Sequence, residues 1–168
     1  MSEIAGQNII FLDIDGVLVL KGGGENNSKT EFDPEAMEWV VKLARTAFAL
    51  IVVSSSWRHD NNLEETKDLM GTYGASDELL ELIVDQTPDL TTKYSLQPRT
   101  GDRQKKKRGQ EIADWLMEHK ADNREYVIID DVKDKFFSKQ LSHLVQTDPE
   151  VGFTEENYEQ GMQILQAT

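Results

Sequence analysis

The chain contains no cysteine in its 168 residues, which excludes disulfides, zinc–thiolate centres and thiol nucleophiles. No apolar stretch approaches the length needed to cross a bilayer. The start, "MSEIAGQ", lacks both the basic and the apolar region of a secretory signal, so a cytoplasmic location is expected. There is no internal repeat and no long low-complexity segment. Positive charge is scarce as well: 18 basic residues against 31 acidic ones leave a net charge of −13. That balance favours solubility and opposes a general affinity for nucleic acid or anionic membranes. The stretch "RQKKKRG" (103–109) is the local exception, read either as a solvated helix start or as an anion-binding patch.

What is present reads as one α/β domain over residues 1–168. Four short, continuously apolar runs, residues 9–12, 48–53, 126–129 and 144–146, have the character of parallel strands covered on both faces. Helical periodicity separates them. In "DPEAMEWVVKLARTA", Asp33 is placed to cap a helix with Pro34 at its first position, and Met37, Val40, Val41 and Ala44 share a face. "GQEIADWLMEHK" repeats the period through Ile112, Trp115, Leu116 and His119, and "TEENYEQGMQIL" closes the chain with Thr154 as cap. Strands alternating with helices predict a three-layer, Rossmann-like domain with a mainly parallel sheet.

Residues 59–107 are expected to hold a small insertion or a mobile loop near the site. They contain a predicted helix (63–73), the apolar patch "LLELIV" (79–84), read as a helix end or a further strand, and the turn-rich stretch from Asp85.

Ligands of parallel α/β sheets bind beyond the carboxyl ends of the strands, and the notable polar residues stand there. Asp13 and Asp15 follow the first strand, Ser54 to Ser56 the second, and Asp130, Asp131 and Asp134 the third clear one, while Lys107 and Arg108 open the helix before it. Alternation directs Asp13 and Asp15 broadly the same way while Ile14 turns into the core. Gly16 then lets the backbone turn close to a ligand. Gathered carboxylates repel one another unless a hard cation sits among them, and Mg²⁺ typically takes one or two of them with phosphate oxygens. A hydroxyl and a basic group are what a phosphoryl group also needs. Taken alone, the two aspartates would equally suit a strand-end cap or a nucleotide-sugar transferase's metal motif. The serines would suit a helix-capping turn.

The ordered set "FLDIDGVL", "IVVSSSW", "KKKRGQEIADWL" and "VIIDDVKD" resembles the four motifs of the haloacid dehalogenase (HAD) superfamily. In finer detail, "SSSWR", "RGQEIADWL", "IIDD" and "TD…GFT" (147–154) resemble a small phosphatase-like domain of multidomain RNA-repair proteins. The resemblance implies a Mg²⁺-dependent phosphatase with little or no cap. It makes Asp13 the nucleophile and Asp15 the acid and base. Ser54, Ser55, Arg108 and Lys107 become phosphate-binding groups, and Asp13, Asp15 (through its carbonyl), Asp130 and Asp131 the metal site. Lysine is usual in the basic position, whereas counting from the apolar helix face puts Arg108 there, so the choice between Lys107 and Arg108, like that among the serines, stays open. Asp134 is read as a cap or supporting group. Trp57 and Arg58 are read as flanking the substrate or, for Trp57, packing under a loop. Trp39 and Trp115 are expected in the core, and His59, His119 and His143 show no ligand spacing.

Between the first motif and its helix lie too few residues for a folded cap. An open site suits a large phosphorylated substrate, such as a nucleic-acid end or a phosphoprotein, or closure by a partner chain. A phosphoprotein or small-metabolite phosphatase is the enzymatic alternative, and a non-catalytic binding module the other. Asp15 favours phosphatase over dehalogenase chemistry, which needs no second carboxylate as an acid.

Overall fold

The computed structural model describes residues 6–21, 31–90, 106–121 and 125–166. Five strands form one all-parallel sheet in the order β3-β2-β1-β4-β5: β1 (Asn8–Leu12), β2 (Ala49–Val53), β3 (Ile83–Gln86), β4 (Tyr126–Asp130) and β5 (Leu144–Gln146). Helices α1 (Pro34–Thr46), α2 (Leu63–Thr72), α3 (Asp77–Leu82), α4 (Lys107–Glu118) and α5 (Glu155–Gln166) flank it. The domain is therefore of the three-layer α/β type that the alternation of elements predicts.

The two faces are separate cores. Ile10, Leu12, Ile51, Val53, Val127 and Ile129 face a layer that includes Val40 and Leu43 of α1, Met70 of α2, Leu79 of α3 and Leu165 of α5. The alternate residues Ile9, Phe11, Val52 and Ile128 face Ile112, Trp115 and Leu116 of α4, with Phe136 beside them. Central parallel strands are apolar at every position because both faces are covered.

Local signals set the helix ends. The Asp33 carboxylate accepts from the Ala36 N–H at 2.9 Å with Pro34 at the first position, and Thr154 Oγ1 accepts from Asn157 N–H at 3.3 Å. The patch "LLELIV" divides between two elements: α3 ends at Leu82 and β3 begins at Ile83. Of the segment read as an insertion, β3 joins the sheet as an edge strand and α2 and α3 join a flanking layer, while 91–105 lies outside the described residues. Phe48 does not join β2; it is exposed at φ 53°, in the turn that leaves α1. Trp115 is buried as expected, but Trp39 is only half-buried, tilted against Tyr158.

Candidate active site

Strand register assembles the site. Leu12 pairs with Val53 on one side and Ile129 on the other. The ladder runs one residue further, with Ser54 N–H donating to Leu12 O at 2.8 Å and Asp13 N–H to Ile129 O at 3.0 Å. Asp13 has the parity of Phe11, Ser54 that of Val52 and Asp130 that of Ile128, the three residues that face α4. The three polar residues are neighbours at one sheet end because three apolar runs are aligned and each stops in step. The first turn of α4 meets them there, where Arg108 Nη1 donates to Ser54 O.

Asp13, Asp130 and Asp131 are buried, and one carboxylate oxygen of each lies within 4.8 Å of the others. Burial, reinforced by Asp130, pushes the Asp13 carboxyl from 3.8 up to about 7, against the opposing pull of Arg108 and Lys135. Burial likewise raises Asp130, whereas Lys135 and the Val132 N–H lower it. Lysines offset part of the charge: Lys135 Nζ stands 3.5 Å from Asp130 Oδ1 and 4.0 Å from Asp13 Oδ2, and Lys21 Nζ 3.2 Å from Asp131 Oδ2. Three converging carboxylate oxygens held out of water, two of them on groups whose burial disfavours the ionised form (Asp13 and Asp130), are the donor set of a hard divalent cation. The residues therefore fit Mg²⁺.

Ser54 Oγ is buried and, among the described residues, has no hydrogen-bond partner, leaving a donor and acceptor for a ligand. Ser55 Oγ instead accepts from Trp57 N–H at 3.2 Å and caps the 3-10 turn Ser56–Arg58. Asp15 lies outside the three-carboxylate group; its two oxygens each accept from Trp57 Nε1 at 3.2 Å. Lys107 is half-buried at the start of α4, beside Arg108. Asp134 is exposed in the 3-10 turn Lys133–Lys135, and its carbonyl accepts from Lys106 Nζ.

Arg58 departs from the expectation that it flanks a substrate. It is 2% exposed, pairs with Glu111 at 2.5 Å, and donates to the carbonyls of Ser55, Thr87 and Pro88. With four acceptors around it, its charge serves the fold. Glu111 also accepts from Leu90 N–H at 2.9 Å and lies 3.6 Å from Arg108 Nε, so one buried carboxylate ties both arginines together.

Sequence reasoning missed Lys135, Lys21 and Glu111. Lys135 is five residues beyond Asp130, and only the irregular 3-10 turn brings it back over the carboxylates. Glu111 did carry a signal, an acid among Ile112, Trp115 and Leu116 on the buried face of α4.

Gly16 carries a sharp constraint. Its φ is +83°, and a Cβ there would stand 2.4 Å from Asp131 Oδ2. Gly16→Ala is expected to cost about 1–3 kcal/mol, seen as a lower melting temperature, and to cut activity by displacing Asp131. A variant with unchanged melting temperature and activity would contradict this placement.

An all-parallel sheet with carboxylates ending β1 and β4, a hydroxyl after β2 and a basic helix start is the arrangement of a HAD-type domain. The sequence matches the family described as the HAD domain in Swiss Army Knife RNA repair proteins over residues 9–158. The chain belongs to that family. Membership supports HAD-type phosphatase chemistry in general. Comparison with curated proteins and with solved structures gives no match. Among the described residues, no helix is long and apolar enough to cross a membrane.

Proposed function

We propose that the protein is a phosphomonoesterase working through Asp13. The observation that carries this reading is the buried group Asp13, Asp130 and Asp131, with oxygens within 4.8 Å of one another, beside the Ser54 hydroxyl, which is unpartnered among the described residues. The Asp13 carboxylate attacks phosphorus, and an Asp13–phosphate bond forms as the bond to the leaving oxygen breaks. Asp15 gives that oxygen its proton, then takes one from the water that hydrolyses the intermediate. Ser54 Oγ binds a phosphoryl oxygen, and Arg108, Lys107 and Lys135 offset its charge. Asp13, Asp130, Asp131 and the Asp15 carbonyl would hold Mg²⁺, which when bound supplies positive charge to carboxylates and phosphate alike.

For the substrate we propose a terminal phosphate on a polynucleotide. The family's RNA-repair context supports this, as do cations on the elements around the site: Lys106 and Lys107 at the start of α4, and Lys133 in the 3-10 turn whose Asp134 carbonyl Lys106 reaches. The proposal includes a domain with little or no cap, since too few residues lie between the first motif and α1 for one, and a cytoplasmic location, on the cysteine-free acidic composition.

The test is phosphate release, with and without Mg²⁺, from a 3′-phosphorylated oligonucleotide, a 5′-phosphorylated one, a phosphoserine peptide and p-nitrophenyl phosphate. Acid quenching followed by mass spectrometry should find one phosphoryl group on the peptide containing Asp13. Preference for the phosphopeptide would overturn the polynucleotide substrate alone. Release from none of them would leave a binding module as the better account.

A further inference from the structure

We infer that Trp57 is a positioning residue for Asp15, so that the functional segment after β2 extends beyond the serines; this rests on the reading of Asp15 as acid and base. The indole N–H reaches both Asp15 oxygens at 3.2 Å, and among the described residues no other donor bonds that carboxylate. A group that must give a proton in one step and take one in the next needs a partner that does not itself exchange protons. Indole N–H is such a partner, a donor that neither accepts nor titrates in the working range. It can hold the unprotonated oxygen of Asp15 in either state.

The rest of the structure holds the indole. Phe32 and Tyr73 meet it edge to face, each at 5.5 Å, and Phe32 N–H is bonded to Tyr73 O at 2.9 Å. The Ser55 hydroxyl and the Trp57 carbonyl are both engaged, the latter by Asn61 Nδ2 at 3.1 Å. A single tight turn thus separates three tasks: Ser54 is left open to ligand, Trp57 is sent to Asp15, and Arg58 to the buried Glu111. The Ser55 cap gains a purpose here, since it sets the turn that aims the indole.

Trp57→Phe keeps an aromatic ring and removes the donor together with some ring volume, and a loss of packing alone would slow both substrates alike. As the Asp13–phosphate bond forms, the proton passes from Asp15 to the departing oxygen. The need for it is large for phenol and small for p-nitrophenol, a far better leaving group. The rapid-mix burst of alcohol release isolates this step from the later hydrolysis. General acid catalysis contributes roughly 10²–10⁴-fold, and Trp57→Phe should forfeit about tenfold or more of it with phenyl phosphate while leaving p-nitrophenyl phosphate within about threefold. In an Asp15→Asn background the same change should add almost nothing. Equal losses for both substrates, no loss for either, or an undiminished loss in the Asp15→Asn background would each overturn the proposal.

A measurement independent of whether Trp57→Phe folds is the indole N–H spectrum of the ¹⁵N-labelled protein. Asp15→Ala should shift the Trp57 resonance and leave those of Trp39 and Trp115 in place, and an unmoved Trp57 resonance would refute the contact. Where the wild type shows no burst, kcat/KM for each substrate reports the same step; if Asp13→Asn retains full release, it is the underlying phosphatase reading that fails.

Discussion

Asp13→Asn is expected to lower phosphate release by roughly 10⁴-fold or more while making the metal-free protein harder to melt. The two effects have one origin. Asparagine cannot form the acyl phosphate, so the covalent route is lost. It also removes a carboxylate whose ionised form is held out of water beside Asp130, the condition that pushes its pKa from 3.8 to about 7. Below about pH 4 the group is protonated in folded and unfolded chains alike, and costs nothing. Between there and about pH 7 the unfolded chain gives up the proton while the folded one keeps it, so stability falls as pH rises. Above about pH 7 the full penalty is present.

The gain from Asp13→Asn should therefore be greatest in chelator at pH 8 and vanish near pH 4. Each pKa unit corresponds to about 1.4 kcal/mol, and each kcal/mol to about 2–4 °C in a domain of this size, so a rise of at least about 4 °C is expected at pH 8. Mg²⁺ should raise the melting temperature of the wild type more than that of the variant. Thermal melts at the two pH values, with and without Mg²⁺, check all three statements. A variant less stable than wild type at pH 8 would mean that the carboxylate is not strained in the empty site.

Glu111→Ala is expected to be the most destabilising of the substitutions considered. Glu111 is wholly buried and answers a buried Arg58, the Leu90 N–H and, at longer range, Arg108. Burial lowers the pKa of Arg58, and Glu111 is the group that most opposes this. Removing one member of a buried pair leaves an uncompensated charge and costs about 3–5 kcal/mol, or roughly 10 °C in melting temperature. Glu111→Gln should cost less, because its amide oxygen can still accept from Leu90. Replacing both partners, Arg58→Met with Glu111→Leu, should recover part of the loss, because no charge of the pair is then stranded. Activity should fall with Glu111→Ala as well, since Arg108 loses an anchor while standing on Ser54 O. A melting temperature within about 2 °C of wild type would show that the network does not hold the fold.

Much of this is legible in the sequence alone. Four strands were readable because central parallel strands are apolar at every position, and α1, α4 and α5 because their apolar residues recur at helical spacing, with Asp33 and Thr154 marking the starts of α1 and α5. β3 was only half legible, since "LLELIV" is apolar without a period that says where helix becomes strand. Among the candidate site residues, the aspartates could be named, and the hydroxyl and the base narrowed to Ser54–Ser56 and Lys107 or Arg108, because each follows a strand or opens a helix at the one edge where such sheets bind ligands. Arg58 could not be read correctly. A charged residue directly after "SSSW" looks like surface, and nothing near it in sequence announces the acid 53 positions later that takes it inside.

The sequence by itself determined the class of domain, the order of its elements and the chemistry gathered at one edge, because periodicity and strand-end residues are local properties. The tertiary structure decided which partners those residues have: Trp57 with Asp15, Glu111 between two arginines, Lys135 over Asp13 and Asp130. Such pairings depend on strand register and on the path of short irregular turns. A shift of one residue in either would turn the same side chains to the opposite face.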